Sequence, residues 1–290
     1  FTSLAEYRQH LNPDRPTVGI TFPRSYWLEH NTAHIEALVT AVEELDANTV
    51  PFFCLRLPDA RRGNPGMAQV LENLLRDDEG RCVVDTLVDV HGMSMTAGVP
   101  ANADAYPNLG VSVLHALTSY APRAAWQATA QGMGSMDVAT QAAQPEFDGA
   151  LITKLLATRE VDTVDDLTGA VVPRMVPVPG RAQAMAELAL SWARLARTPA
   201  GQRKVAIVFH HHPPRNDRIG CASGLDTFES VRQLLIRMGE EGYDVPEQFE
   251  TGDDIAQVLL SCLTCDQRWL TPEQMHERAE AHADLEISRP

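Results

Sequence analysis

The sequence predicts an α/β fold, built as two Rossmann-like or flavodoxin-like units with mainly parallel sheets. Three observations carry that expectation. Short β-branched apolar runs alternate with stretches whose apolar residues recur at three- and four-residue spacing, the pattern of strands joined by crossover helices. One such run, residues 205–209, enters a loop rich in histidine, proline and glycine and then a second amphipathic stretch. The 290 residues, 44% of them hydrophobic, suffice for two cores.

From the front, residues 1–14 are polar and read as a loosely docked leader. Residues 17–22 form a first strand. After a turn carrying Arg24 and Trp27, Ile35, Leu38, Val42 and Leu45 mark one face of a helix that Asn31 or Thr32 caps. Residues 50–55 are the next strand, Met67–Leu75 a helix, and residues 83–90 a third strand ending at His91 and Gly92. The Gly/Ser/Thr/Ala segment 92–103 reads as a mobile loop and residues 111–114 as a short strand. Residues 132–143 supply one or two helical turns leading to Pro145, Glu146, Phe147, Asp148 and Gly149. Arg181–Arg197 is a helix with Met185, Leu188, Trp192 and Leu195 on one side. Thr198, Pro199, Ala200 and Gly201 form the passage into the second unit. Residues 1–200 therefore make the first unit with its leader, and 201–290 a second α/β unit that is cut short.

In the second unit, the run 205–209 is short and β-branched enough for a buried strand. Pro213 and Pro214 lack backbone N–H groups and stop its ladder. They leave His210, His211 and His212 at the carboxyl end, where open α/β sheets gather ligands. Side chains alternate along a strand, so His210 and His212 share one side while His211 points away. Imidazole suits cobalt, zinc or nickel and is a base near neutral pH, whereas carboxylate-only sites suit magnesium. The alternative for the triplet is a set of solvated loop histidines, or one core histidine with two solvated neighbours. Beyond the turn, Asp226 and Glu229 have the N-cap and N3 spacing of a capping box. Phe228, Val231, Leu234, Leu235 and Met238 follow at helical spacing, and Gly242 closes the helix.

Composition removes several function classes. A net charge of −15, from 24 basic and 39 acidic residues, argues against nucleic acid, whose phosphates need clustered Lys and Arg. With no apolar run of about 18 residues and no signal-peptide pattern, the expectation is a soluble, cytoplasmic protein without a membrane span. The five cysteines are odd in number and scattered, so reduced thiols are expected. Cys262 and Cys265, followed by His276 and His282, approach a zinc-finger spacing. Thr271 and Gln274, however, start a capped helix on which residues six apart point about 240° apart, so the two histidines face different ways. No G-x-x-x-x-G-K-[ST] motif is present, and the stretch Gly132 to Asp137 puts Asp at the third glycine position of a dinucleotide fingerprint. Nothing in the sequence supports nucleotide hydrolysis by this chain itself.

Three collinear motifs resemble one family. Phe209-His210, followed after two residues by Pro213-Pro214, then Arg218, Gly220, Gly224 and Asp226 before a helix, resembles the signature of the large subunit of aerobic cobaltochelatase. The large subunit of magnesium chelatase has the same layout. Residues 15–20 through Arg24, Ser25, Trp27, Asn31 and Thr32 resemble the strand, Arg-Ser turn and helix that open the same region. Pro145 to Gly149 resembles its Pro-Glu-Phe-Asp-Gly loop. Two departures stand out. His211-His212 replaces an Asn-Tyr pair of the cobalt type, and His91 sits where relatives carry Thr-Gly-Phe. Magnesium-type relatives generally lack the histidine matching His210, so its presence favours the cobalt branch.

The resemblance implies an internal piece of a much longer chain that holds metal and tetrapyrrole, a hydrogenobyrinic acid diamide-like ring, for cobalt insertion in cobalamin biosynthesis. ATP hydrolysis and remodelling of the complex fall to a separate AAA+ ATPase subunit and a metal-adhesion-domain subunit; the piece alone is expected to be inactive. Insertion must strip water from the ion, deform the ring and remove pyrrole N–H protons. His210 is the first candidate for ligand or base and His212 the second. Glu146 and Asp148 are carboxylate partners unless their loop is a purely structural turn. Arg24, Arg218 and, outside the family-like motifs, Arg215 either pair with the ring's carboxylates or serve as surface ion pairs or anchors for a carbonyl-rich loop. Trp27 either stacks on the flat ring or packs as an ordinary aromatic. The rival readings are a noncatalytic docking module of the complex and a magnesium- or nickel-handling paralogue.

Overall fold

A computed structural model describes residues 4–262 and 264–281. The chain divides into two compact units, Phe1–Arg197 and Thr198–Pro290. The first holds a six-stranded sheet of β1 (Thr17–Pro23), β2 (Asn48–Cys54), β3 (Thr86–Asp89), β4 (Ser112–Ser119), β5 (Leu151–Val164) and β6 (Val171–Pro177). Their order is β2-β1-β3-β4-β5-β6. All pairings are parallel except the last, where β6 returns antiparallel along β5. The 2-1-3-4-5 arrangement is flavodoxin-like, and its strand order reverses between β1 and β3.

Burial on both faces explains why these strands read as apolar runs. Val18, Ile20, Val88, Leu114 and Leu156 face the helices Ala33–Glu44 and Arg181–Arg197 through Leu38, Val42, Met185, Ala189 and Leu190. On the other side, Val50, Phe52, Leu87 and Val113 meet Met67, Leu71 and Leu75 of the helix Met67–Leu75. The helix boundaries at 67–75 and 181–197 coincide with those predicted. Leu195 is the exception on its predicted face and is exposed, while Ala186 and Ala193 take the buried positions. Asn31 and Thr32 do not cap through their side chains: Asn31 Oδ1 accepts from the Met175 amide of β6 at 2.8 Å, and Thr32 Oγ1 bonds Glu36 Oε1 at 2.5 Å.

His34 lies in this core at 0% exposure with neither ring nitrogen hydrogen-bonded, its ring edge-on to Tyr26 at 4.8 Å and 83°. Burial lowers its pKa to about 4. The unfolded chain takes up that proton near the ordinary value of 6.5, and the folded chain does not until about 4. Stability is therefore intact above pH 6.5 and falls as pH drops through this window, by about 3 kcal/mol at its foot. His34→Phe should flatten that slope. Urea denaturation at about pH 5 and about pH 7.5 checks it, the variant gaining more over wild type at the acid value.

Two parts of the predicted layout change. The β5–β6 hairpin does not appear in the sequence pattern, because the outer half of β5 carries Arg159, Glu160 and Asp162 and the edge strand contains Pro173 and Pro177, which only an edge tolerates. In the second unit, residues 205–209 are not a strand. They lack regular secondary structure, and Val208 is 90% exposed. The reason is that no strand lies beside them: pairing among the described residues of this unit is limited to the isolated bridges His211↔Ile219 and Ala222↔Leu225. The described part of this unit is helical, with Thr227–Glu240, Gly252–Ser261 and Pro272–Ala281. Its first helix forms half of the predicted capping box, since the Glu229 carboxylate turns to Arg232 and Gln233 rather than back to the N-cap. Asp226 accepts from the Glu229 amide at 3.1 Å, and Gly242 at φ 83° lets Tyr243 N–H reach Met238 O at 3.0 Å.

Candidate functional site

A row of polar side chains crosses the carboxyl edge of the first unit's sheet. Thr21 on β1, Asp89 on β3 and His115 on β4 are in register, so they share one face, and Cys54 ends β2 next to them. His91 stands two residues past Asp89. Its amide and its Nδ1 both bond Asp89 Oδ1, at 2.9 and 2.6 Å. Its Nε2 faces Cys54 Sγ at 3.6 Å, and Thr21 Oγ1 lies 3.6 Å from that sulfur. Burial opposes the His91 imidazolium, but the Asp89 carboxylate overrides it and the pKa is pushed up to about 10. Burial would likewise raise Asp89; His91 and then His115 hold it well below the usual carboxylate range. His115 Nδ1 meets Asp89 Oδ2 at 3.5 Å as an ion-pair contact, and neither of its ring nitrogens has a hydrogen-bond partner.

Above this floor opens a cavity of about 790 Å3 to which every strand contributes: Arg24 after β1, Cys54 at the end of β2 and Arg56 beyond it, His91, Met93 and Met95 after β3, Tyr120 after β4, Arg159 within β5 and Arg174 within β6. It sits at the β1/β3 switch point, where doubly wound sheets bind ligands, and its volume suits a small organic ligand. In a chain of net charge −15, four arginines converge here against the single carboxylate of Glu29. Arg24 is held by Asn64 Oδ1 at 2.8 Å, and Arg56 reaches the Ala97 carbonyl while its Nε has no partner. Arg159 lies over the Tyr120 ring at 5.9 Å, and Arg174 binds the Glu29 carbonyl at 2.6 Å. Tyr26 stays neutral in the wall: burial and then Tyr120 push its phenol up to about 12. The lining combines fixed guanidinium groups, suited to carboxylates, with aromatic and thioether surface suited to a flat apolar body.

The predicted site residues fall in different places. Arg24 is on the cleft. Trp27 stacks on Phe53 at 6.0 Å and 23° in a smaller pocket of about 310 Å3 that shares Arg24, Cys54 and Leu55 with it. Asp148 is 6% exposed and accepts from Ser94 Oγ at 2.5 Å, the Met95 amide at 2.6 Å and Thr96 Oγ1 at 2.5 Å. That clasp, with Asn102 Nδ2 bonding the Arg56 and Met95 carbonyls at 2.9 Å each, pins a loop expected to be mobile and places Met93 and Met95 on the cleft wall. Gly149 at φ 81° ends the turn, letting Ala150 N–H reach Pro145 O at 3.1 Å; Glu146 is exposed. In the second unit, His210 and His212 are exposed with rings 6.3 Å apart, and His211 Nε2 instead meets the Arg215 carbonyl at 2.9 Å. Arg215 is bidentate to Asp217, and Arg218 reaches Cys221 Sγ at 3.7 Å. Cys262 and Cys265 are exposed thiols; His282 lies outside the described residues. Among the described residues no three His, Cys, Asp or Glu side chains group around one point, and no helix is long and apolar enough to cross a membrane. Sequence reasoning missed Cys54, Asp89, His115, Arg56, Arg159 and Arg174, and saw His91 only as a departure from a motif. Asp89 and His91, alternate residues at the end of an apolar strand, were the available signal.

A guanidinium-rimmed cavity over a thiol, imidazole and carboxylate floor gives this α/β unit a lining whose chemistry suits an anionic, partly apolar ligand. The chain belongs to the CobN/Magnesium Chelatase family, whose sequence profile matches residues 1–287. It is 29% identical over 247 residues to CobN, the aerobic cobaltochelatase subunit of a Sinorhizobium species, covering 85% of this chain and 19% of that protein. It is 28% identical over 277 residues to a magnesium-chelatase subunit of Rhodobacter capsulatus, covering 89% and 22%. The solved catalytic subunit of cobaltochelatase from Mycobacterium tuberculosis superposes with a TM-score of 0.68 at 29% identity, over 86% of this chain and 21% of that one. The chain thus spans about a fifth of the length of these relatives.

Proposed function

We propose that the chain is part of the large subunit of an ATP-dependent cobaltochelatase, contributing metal- and tetrapyrrole-binding surfaces to cobalt insertion into a corrin precursor in the cytoplasm. The observation that carries this reading is the arginine-rimmed cleft at the switch point. Its guanidinium groups pair with the peripheral carboxylates of a hydrogenobyrinic acid diamide-like ring, and its tyrosine and methionine side chains pack on the macrocycle. His210 and His212 hold the incoming Co2+ by their imidazoles. Glu146, exposed where Asp148 is tied down, accepts pyrrole protons. ATP is hydrolysed by a AAA+ subunit that works with a metal-adhesion-domain subunit, and this stretch by itself is inactive.

Two observations favour other readings. His210 and His212 are exposed without a third ligand nearby in the described residues, as in a docking module that recruits partner subunits. A magnesium-chelatase relative is as similar, at 28%, as cobaltochelatase relatives are, as for a paralogue handling magnesium or nickel. Metal insertion by the full-length protein with its partner subunits separates the three. Cobalt insertion that drops about 10- to 100-fold in the His210→Ala/His212→Ala double variant supports the proposal. An unchanged rate supports docking, and insertion of Mg2+ or Ni2+ in preference to Co2+ supports the paralogue.

A further inference from the structure

We propose that Cys54 and His91 form a two-ligand landing site for a thiophilic divalent transition ion, Co2+, Zn2+ or Ni2+, at the floor of the cleft, with Asp89 as the group that orients His91. The ion's destination rests on the chelatase reading; its binding does not.

The geometry is that of a metal pair. An ion bonded to sulfur at about 2.3 Å and to imidazole nitrogen at about 2.0–2.1 Å with a tetrahedral angle sets the two ligand atoms about 3.5 Å apart. Cys54 Sγ and His91 Nε2 are 3.6 Å apart, so neither side chain need move. Metal-binding histidines hand their second ring N–H to a carboxylate, which fixes the tautomer and turns the free nitrogen to the ion. Asp89 Oδ1 occupies that position, 2.6 Å from Nδ1. Thr21 Oγ1, 3.6 Å from Sγ, is placed to donate to a thiolate.

A second observation points the same way. The floor is buried yet incompletely bonded: Asp89 Oδ2 and His115 Nδ1 face each other at 3.5 Å as an ion pair without a hydrogen bond, and His115 Nε2 has no hydrogen-bond partner. Buried polar atoms without partners are rare in a finished core and common where a ligand completes the site. Cys54 and His91 are 4% and 5% exposed, and both line the cavity. Two protein ligands leave two positions of a four-coordinate ion open to that cavity. A thiolate and an imidazole select cobalt, nickel or zinc and reject magnesium, which requires oxygen ligands. A site with so few protein ligands holds its ion loosely, as insertion requires, because an ion clamped by the protein does not leave for a ring. On binding, the ion displaces the thiol proton and the Nε2 proton of His91, and both pass to solvent.

Titration of the metal-free full-length protein with Co2+ alone, read by optical absorption, tests this. The expected result is a saturable near-ultraviolet thiolate-to-cobalt band with visible bands of a four-coordinate ion, undiminished by excess Mg2+. Cys54→Ser, which preserves the packing, should abolish that band. Asp89→Asn should weaken Co2+ about 10- to 100-fold, and His210→Ala/His212→Ala should leave the band intact. A band that survives Cys54→Ser, or no saturable band in the wild type, overturns the proposal. Tetrapyrrole binding measured beside the cobalt titration on the wild-type protein keeps the two readings apart. Ring binding without the cobalt band removes the landing site alone, while the band without ring binding removes the chelatase reading and leaves the ion site standing.

Discussion

Asp148→Ala should destabilise the first unit by roughly 3–5 kcal/mol and loosen one wall of the cleft. The carboxylate accepts three hydrogen bonds from consecutive residues, Ser94, Met95 and Thr96, in a 6% exposed setting. Removing it leaves two hydroxyls and an amide without acceptors, each at about 1–3 kcal/mol. Asp148→Asn keeps one acceptor oxygen and should lose less. Because the clasped loop carries Met93 and Met95, hydrogen exchange of residues 93–97 should speed up before global unfolding does. Denaturant unfolding and hydrogen exchange check both points. If Asp148→Ala unfolds like wild type yet abolishes metal insertion, Asp148 belongs to the chemistry, as its sequence motif suggested, and not to the scaffold.

Arg24→Gln and Arg56→Gln should each weaken binding of a polycarboxylated tetrapyrrole about tenfold, and the double variant about a hundredfold. A charge-assisted hydrogen bond from a half-buried guanidinium contributes about 1.5 kcal/mol or more, close to a factor of ten in affinity. Both side chains are half-buried and held in place, Arg24 by Asn64 and Arg56 by the Ala97 carbonyl, so little side-chain entropy is lost on pairing. Neither bonds a carboxylate in the described structure, so Gln at either position breaks no internal ion pair. Arg174 is a poorer test, because it also ties β6 to the carbonyls of Glu29 and His30.

What the sequence showed was local. Residues 17–22 and the helices Met67–Leu75 and Arg181–Arg197 carry their periodicity within a few turns, and Asp226 caps its helix through a residue three positions away. The parallel, flavodoxin-like class and the family follow from such pieces read in order. What depends on neighbours distant in sequence was not legible. Residues 205–209 have the composition of a strand, but a strand exists only where another pairs with it, and none does among the described residues. The edge hairpin was hidden by its prolines and charges. The cleft is the extreme case: Arg24, Arg56, His91, Tyr120, Arg159 and Arg174 come from six strands and the loops that follow them, which only the sheet order brings together. The Pro-Glu-Phe-Asp-Gly loop was visible as a motif, but its Asp148 could not be read as a clasp without the loop it holds.

The most direct measurement is an absorbance titration of the full-length protein with a polycarboxylated tetrapyrrole, run beside the Arg24→Gln/Arg56→Gln double variant and Arg237→Gln, a surface control paired with Glu240 and Glu241 in the second unit. Saturable binding in the wild type and the control, weakened about a hundredfold in the double variant, is the result the cleft predicts. Equal affinity in all three proteins would contradict it and move the ring to another surface of the large subunit.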